Sequence, residues 1–339
     1  MSGSPAPRYA LFKGFDRGVE SRIIAHIATG LAGEGIKLEL LEGRGRLFQL
    51  AFLRTIARCD VLIVHSPLAF AFFYVVFARL LGKKVLGLVW DHYPVTLNGR
   101  RYDFSARRRL LDFMENRAIT MCTHLLVPSE DFLEADRLAR AQAIPFWLPV
   151  DPPSLARDKI GPNLLRIIFA GQVNATRGLE EAYAELDAHF AGNFALQVAS
   201  PDQLPEAMSN KDNVEYLGFL GREELHDIMR QCDFGLVALS PHFDGPGLPS
   251  KTWEYLGAGL PCVFIGKGLP HYAQALTESG AGRVLTPATR GKIGAKDIKR
   301  DALEASAVIR FSGQFELDSV RLAAHLLSLG GLSSDRTPV

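Results

Sequence analysis

From Phe243 to Phe264 the chain reads FDGPGLPSKTWEYLGAGLPCVF, in which lysine and threonine follow a glycine-bearing loop. A phosphate-wrapping P-loop needs glycine immediately before its lysine, so that the backbone can close on the anion. Ser250 stands there instead, and prolines occupy positions 246 and 249. The pattern predicts a helix that opens at Ser250, an N-cap residue type, runs through Leu256 and is stopped by Gly257 and Gly259. Its free N–H groups and dipole favour an anion beyond the loop Gly245–Gly247, and Lys251 adds positive charge. Glu254, one turn in, lies on the same face and can accept two hydrogen bonds from a diol such as a ribose.

Two other places carry ionisable groups in chemically useful company. Arg177 follows the strand-like RIIFAG, and a guanidinium is suited to bidentate contact with phosphate, although an arginine at a helix start can equally be a solvated one. Asp91 and His92 emerge at the end of KKVLGLVW. One of them can contact a substrate hydroxyl, as base or as polarising group; the alternative is that Asp91 caps the next turn and His92 is merely exposed. His65 and Ser66 end the preceding strand and either line the same space or form its turn. No D-x-D occurs, and no His, Cys and carboxylate spacing suits a metal, which predicts no essential metal ion.

These residues need a frame that brings them together. Short β-branched runs alternate with longer helical segments, which predicts a parallel α/β architecture. Expected strands are Tyr9–Phe12, Ile36–Leu41, Asp60–Ser66, Lys83–Pro94 and Thr123–Ser129. A helix is expected over about Val19–Ala32, after the turn Gly14–Gly18. A proline-rich stretch then carries Pro145, Pro149, Pro152, Pro153 and Pro162, and proline at that density resists helix and central strand. Beyond it RIIFAG, FALQVAS, VEYLGFL, DFGLVAL and PCVFIG restart the alternation. The division expected is a domain over 1–150, a linker over 151–163, a second domain over 164–305 and a helical tail over 306–339. Ligands of doubly wound sheets bind outside the carboxyl ends of the strands, hence between the two domains.

The bulk figures agree. At 339 residues, 47% hydrophobic and 22% charged, the chain can bury two ordinary cores. A net charge of +1 argues against a dedicated nucleic-acid binder. Residues 1–150 carry 20 Lys+Arg against 14 Asp+Glu, and the remainder 18 against 23. A basic first half suits an anionic substrate or membrane surface. Four scattered cysteines without a CxxC pair point to buried thiols in a reducing cytosol. No secretory signal precedes the first strand, and the apolar run Pro67–Gly82, interrupted by Arg79, falls short of the roughly 20 residues of a membrane span.

The segment LPSKTWEYLGAGLPCVF resembles the donor-nucleotide segment P-x-K-x-x-E-x-x-A-x-G-x-P-V of GT-B glycosyltransferases, most closely the family 4-like group. IIFAGQVNATRGLEEA resembles that family's strand, basic residue and glycine, with Arg177 at the basic position and Gln172 where arginine is frequent. The opening KGFDRGVES resembles its first glycine turn, which puts Gly14 at the donor. The resemblance covers most of residues 9–290. It implies a GT-B fold, two doubly wound Rossmann-like domains facing across a cleft, with the acceptor on the first and a nucleotide diphosphate sugar on the second. It places Glu254 on the donor ribose, and Gly247, Ser250, Lys251 and Arg177 near the diphosphate. Of a glutamate pair eight positions apart that many members carry, only Glu254 is present; position 246 is proline and Asp244 lies two residues early.

Such transferases often extend lipid-linked glycans at the inner face of the cytoplasmic membrane in bacterial polysaccharide synthesis. Arg44–Arg58, helical in period with Leu47, Phe48, Leu50, Phe52, Leu53 and Ile56 beside four arginines, can lie in a membrane interface. Arg100, Arg101 and Arg107–Arg109 add charge. The alternative for all of them is core on one side and a solvated face on the other. The resemblance thus implies a metal-independent hexosyltransferase, peripheral on an anionic membrane; alternatives are a nucleotide-sugar epimerase of the same fold or a non-catalytic nucleotide-sugar-binding protein. Sugar transfer is expected to persist in EDTA; loss of transfer that magnesium or manganese restores refutes that expectation.

Overall fold

The computed structural model describes residues 6–13, 18–42, 49–91, 96–97, 100–101, 105–150, 164–245, 247–293 and 303–330. The first unit opens with β1 (Tyr9–Lys13), α1 (Gly18–Gly33), β2 (Leu38–Glu42), α2 (Leu50–Arg58) and β3 (Val61–His65). It continues through α3 (Phe72–Leu80), β4 (Lys84–Leu88), the short β5 (Thr96–Leu97) and β6 (Arg100–Arg101), α4 (Ala106–Met121), β7 (His124–Val127) and β8 (Gln142–Ala143). The second unit begins β9 (Leu165–Ala170), α5 (Leu179–Phe190), β10 (Phe194–Ala199), α6 (Glu206–Ser209), β11 (Val214–Gly218) and α7 (Arg222–Arg230). There follow β12 (Phe234–Ala238), β13 (Phe243–Asp244), α8 (Lys251–Gly257), β14 (Cys262–Ile265), α9 (Pro270–Glu278) and β15 (Gly282–Val284). Helices α10 (Ala305–Ser312) and α11 (Ser319–Leu329) close the chain.

The expected strands are all present, and they form two parallel six-stranded sheets ordered β2-β1-β3-β4-β7-β8 and β11-β10-β9-β12-β14-β15. Strand order reverses between β1 and β3 in one sheet and between β9 and β12 in the other. Crevices open at those reversals, because the connecting helices depart to opposite sides. The hydrophobic runs are buried on both faces, as parallel strands require: every residue of β3 and of β12 is buried.

Two side chains lock α8 to its sheet. The ring of Tyr255 lies on the backbone of Gly235, where an added Cβ would stand 2.3 Å from the ring. Its hydroxyl accepts from the Ala170 N–H at 2.8 Å and so ties α8 to the carboxyl end of β9. The tail is structural too. Trp253 packs on Trp147, Phe311 and Phe315, so α8, the last residues of the first unit and α10 share one aromatic cluster. Helix α11 then packs against α1, and the Tyr9 hydroxyl donates to the Leu326 carbonyl at 3.1 Å. The four cysteines are free and buried. The proline-rich linker lies outside the described residues.

Gly235→Ala is expected to destabilise the fold by about 1–3 kcal/mol through overpacking against Tyr255. Thermal unfolding checks it, at about 2–4 °C per kcal/mol for a domain of this size.

Candidate functional site

Asp91 reaches the boundary between the units because the chain beyond β4 is held straight. The Val89 N–H donates to the Leu126 carbonyl at 2.9 Å and the Trp90 N–H to the Ser66 hydroxyl at 3.2 Å. Trp90 is itself stacked on His65, ring centroids 4.9 Å apart. His65 and Ser66 are therefore supports rather than cleft lining. Both are buried, and burial pushes the His65 imidazole down to about 4, so it is neutral.

Asp91 lies on the floor of a cleft: protein surrounds it on most sides, yet solvent reaches it. Poor hydration raises its carboxyl to about 6, the Glu20 carboxylate raises it further, and Arg177 opposes both. Burial likewise raises Glu20, in the first turn of α1, above the ordinary carboxylate range. Sequence reasoning did not single out Glu20. Its signal is an acid in the first helical turn after the first strand, at the carboxyl end of the sheet where order reverses.

Arg177 comes from the other unit. Asn174 builds its turn: the side-chain oxygen accepts from the Thr176 N–H at 3.0 Å, and the carbonyl accepts from the Arg177 N–H at 3.0 Å. Gly178 then turns the chain into α5 at φ 57°, pressed so close to Ser240 that a Cβ would stand 2.6 Å from the Ser240 Cα. No side chain fits there, which explains a glycine directly after the arginine. Burial lowers the Arg177 guanidinium, and Asp91 sustains its charge.

The loop before α8 reaches Asp91. Gly247 forms an antiparallel backbone bridge with Asp91, and a Cβ on Gly247 would stand 3.7 Å from Asp91 Oδ1. Beside it β13 pairs with β5, Phe243 opposite Leu97 and Asp244 opposite Thr96. A strand of the second unit is thus continued by the β5–β6 hairpin of the first. None of these three two-residue strands is visible in hydrophobic periodicity.

Helix α8 begins at Lys251, and the Ser250 hydroxyl makes no capping bond; Ser250 itself has helical dihedrals, φ −55° and ψ −26°. The helix is started by backbone, the Pro249 carbonyl accepting from the Thr252 N–H at 3.0 Å. Lys251 and Glu254 form an ion pair at 2.5 Å and remain partly exposed. A ligand that uses both must insert between them or displace one. Gly14, His92 and Pro246 lie outside the described residues. Among the described residues no group of three or more His, Cys, Asp or Glu side chains is placed to hold a metal ion.

No family model and no curated protein matches the chain by sequence. Among solved structures it is similar to the apo form of the lipopolysaccharide outer core galactosyltransferase WaaB, with TM-score 0.63 at 12% identity over 94% of this chain and 99% of that one. SnogD, a glycosyltransferase from Streptomyces nogalater, matches with TM-score 0.43 at 16% identity, over 96% of this chain and all of that one. A UDP complex of S. aureus MnaA gives 0.46 at 10%, over 98% and 99%. The likeness to WaaB, with two facing six-stranded parallel sheets, makes this the GT-B glycosyltransferase fold.

Asp91 is expected to titrate near pH 6, as read by carboxyl-carbon NMR, and Arg177→Met to raise that midpoint by removing the one opposing charge. A carboxyl raised in the folded state lends stability at low pH and withdraws it as pH rises through its folded midpoint. Asp91→Asn should therefore flatten the fall in Tm between about pH 4 and 6; an unchanged slope refutes the assignment.

Proposed function

We propose that the protein transfers a hexosyl group from a nucleoside diphosphate sugar to a hydroxyl of a lipid-linked saccharide acceptor. The observation that carries this is that Asp91 and Arg177, from separate units and at the carboxyl ends of their sheets, lie near enough to act on one another's charge, with Asp91 also bridged through backbone to Gly247. In such a site the acceptor hydroxyl lies on the first unit and the diphosphate on the second. Asp91, ionised above about pH 6, takes the acceptor proton as the oxygen attacks the anomeric carbon. The bond from that carbon to the diphosphate oxygen breaks, and the electron pair leaves with the nucleoside diphosphate. Arg177, half-buried, meets the charge that develops on that leaving oxygen, where partial withdrawal from water makes it more effective.

Helix α8 supplies the donor's handle in this scheme. Glu254 accepts from the ribose hydroxyls, and Lys251, freed from its ion pair, turns to the diphosphate. Gly247 and Ser250 belong to the same turn, where backbone can approach the phosphates closely. Poor hydration, with the Glu20 carboxylate adding to it, raises the Asp91 proton affinity toward what proton transfer near neutrality needs. Bond-making and bond-breaking thus fall to charges on different units, so the reaction depends on their apposition.

The protein is expected to release nucleoside diphosphate from one member of a panel of UDP-, GDP- and dTDP-sugars when a polyprenyl diphosphate saccharide is present. Asp91→Asn should lower kcat at least 100-fold, in line with the loss of a general base. Glu254→Gln should weaken donor binding by roughly 1.5–3 kcal/mol, the worth of hydrogen bonds to a charged group, in calorimetric titration. Conversion of the donor to an epimer without acceptor, or donor binding without turnover on any acceptor, would overturn the transferase reading.

A further inference from the structure

The helices α2, α3 and α4 lie side by side on one face of the first sheet, with α3 packed on both of its neighbours. Their inner sides are core: Phe52 and Ile56 on α2, Tyr74, Val75 and Ala78 on α3, Met114, Ala118 and Ile119 on α4. That placement corrects the expectation for α2, whose large apolar side chains are mostly spent on the fold. Arg44 and Arg46 lie outside the described residues. Arg100 and Arg101 belong to β6, in the small sheet at the cleft rather than on this helical layer.

The outer side of the layer is unusual in two independent respects. Six large hydrophobic side chains stand in solvent there: Leu50 is 73% exposed, Phe73 49%, Leu80 79%, Leu81 44%, Leu110 58% and Phe113 52%. They make up half of the exposed large hydrophobics among the described residues. Leu110 and Phe113 are one helical turn apart, and Phe73 and Leu80 two turns apart, so they form stripes rather than scatter. Second, the exposed charges are all of one sign. Arg54, Arg58, Arg79, Arg107, Arg109 and Arg117 are exposed, whereas the carboxylates on the three helices, Asp112 and Glu115, are both buried.

We propose that this face docks the protein on an anionic lipid leaflet, with Leu80, Leu110 and Phe113 entering the headgroup boundary and the arginines meeting lipid phosphates. A folded chain ordinarily breaks up apolar stripes of this kind with charges of both signs. Here the exposed charges on the three helices are arginines alone, with the Glu39 carboxylate of β2 only at the edge of α2 through Thr55, and a sheet of anions with an apolar interior is the complement of that pattern. Arginines suit the role because their stems cover apolar surface while the guanidinium stays at the polar level. The Arg117 guanidinium already lies 5.5 Å from the Phe113 ring centroid, so charge and ring act as one anchor. No helix among the described residues is long and apolar enough to cross a membrane, so attachment through this face is peripheral. The opposite face of the sheet is covered by α1 and α11, on which Val320 is the one exposed large hydrophobic among the described residues.

The test needs neither donor nor acceptor, so it stands or falls apart from the proposed sugar transfer. Full-length protein is sedimented with vesicles of phosphatidylcholine alone or with 30% phosphatidylglycerol. Binding to the anionic vesicles, at least tenfold tighter than to neutral ones and weakened by 0.5 M salt, is expected. The triple variant Arg107→Gln/Arg109→Gln/Arg117→Gln and the double variant Leu110→Ser/Phe113→Ser should each lose at least tenfold, with Tm unchanged because all five side chains are exposed. Phe113→Trp gives an independent readout: its emission should shift to the blue on anionic vesicles. Equal binding to both vesicles, no binding, or variants that bind as the parent would overturn the proposal. So would concentration-dependent self-association abolished by the double variant, which would make the face a protein interface.

Discussion

Two charges of opposite sign, Asp91 and Arg177, act on one another across the boundary between the units, and much of the molecule is arranged around keeping them there. Asp91 alone would be pushed toward neutrality, and Arg177 alone would be costly to hold away from solvent. Together each offsets part of the other's desolvation. Separation of the units therefore changes proton affinity and anion affinity at once. The backbone bridge at Gly247 and the pairing of β13 with β5 fix one side of this boundary. The Asp131 carboxylate fixes the other, accepting from the His271 and Tyr272 N–H groups at 2.8 and 3.0 Å and so capping α9 of the second unit from the first.

That arrangement also explains why the site is so largely backbone. Parallel strands end with their carbonyl ends at the cleft, and the helices that follow present N–H groups there. The side chains needed beyond this are few: a cation on one unit, a carboxylate on the other, and a carboxylate on α8. Supporting residues absorb the cost of precision. Trp90 stacked on a neutral His65 aims Asp91, Asn174 shapes the turn under Arg177, and Tyr255 sets α8 on its sheet without any part in binding.

Much of the frame was legible because buried parallel strands are short, nearly continuous apolar runs bounded by polar residues and glycine, whereas the longer apolar run at Pro67–Gly82 folds as helix α3. Both sheets and the place of Arg177, Asp91 and Glu254 at strand or helix ends followed from that signal. What escaped notice had no periodicity to show. The strands β5, β6 and β13 are two residues each, and β13 lies far along the chain from β5, so only the folded chain brings Phe243 opposite Leu97. Glu20 escaped for a different reason: an acid in a first helical turn is ordinary, and its significance comes from Asp91, 71 residues on. Ser250 does stand at the N-cap of α8, as its residue type suggests, but the turn is closed by backbone from Pro249 and the hydroxyl makes no capping bond.

Charge distribution carries the last step. The first 150 residues hold only a modest excess of cations, too small by itself to mean anything. Folding sharpens it, because carboxylates of that half are drawn to the cleft and the interior, Glu20 and Asp91 at the site, Asp112, Glu115 and Asp131 buried. Arg54, Arg58, Arg79, Arg107, Arg109 and Arg117 of α2, α3 and α4 are left on the outside. Within a Debye length of about 8 Å such a surface acts as a cluster, whereas the same charges along an unfolded chain would be screened from one another. A net charge near zero and a strongly one-signed face therefore coexist, and only burial, which composition does not encode, decides between them.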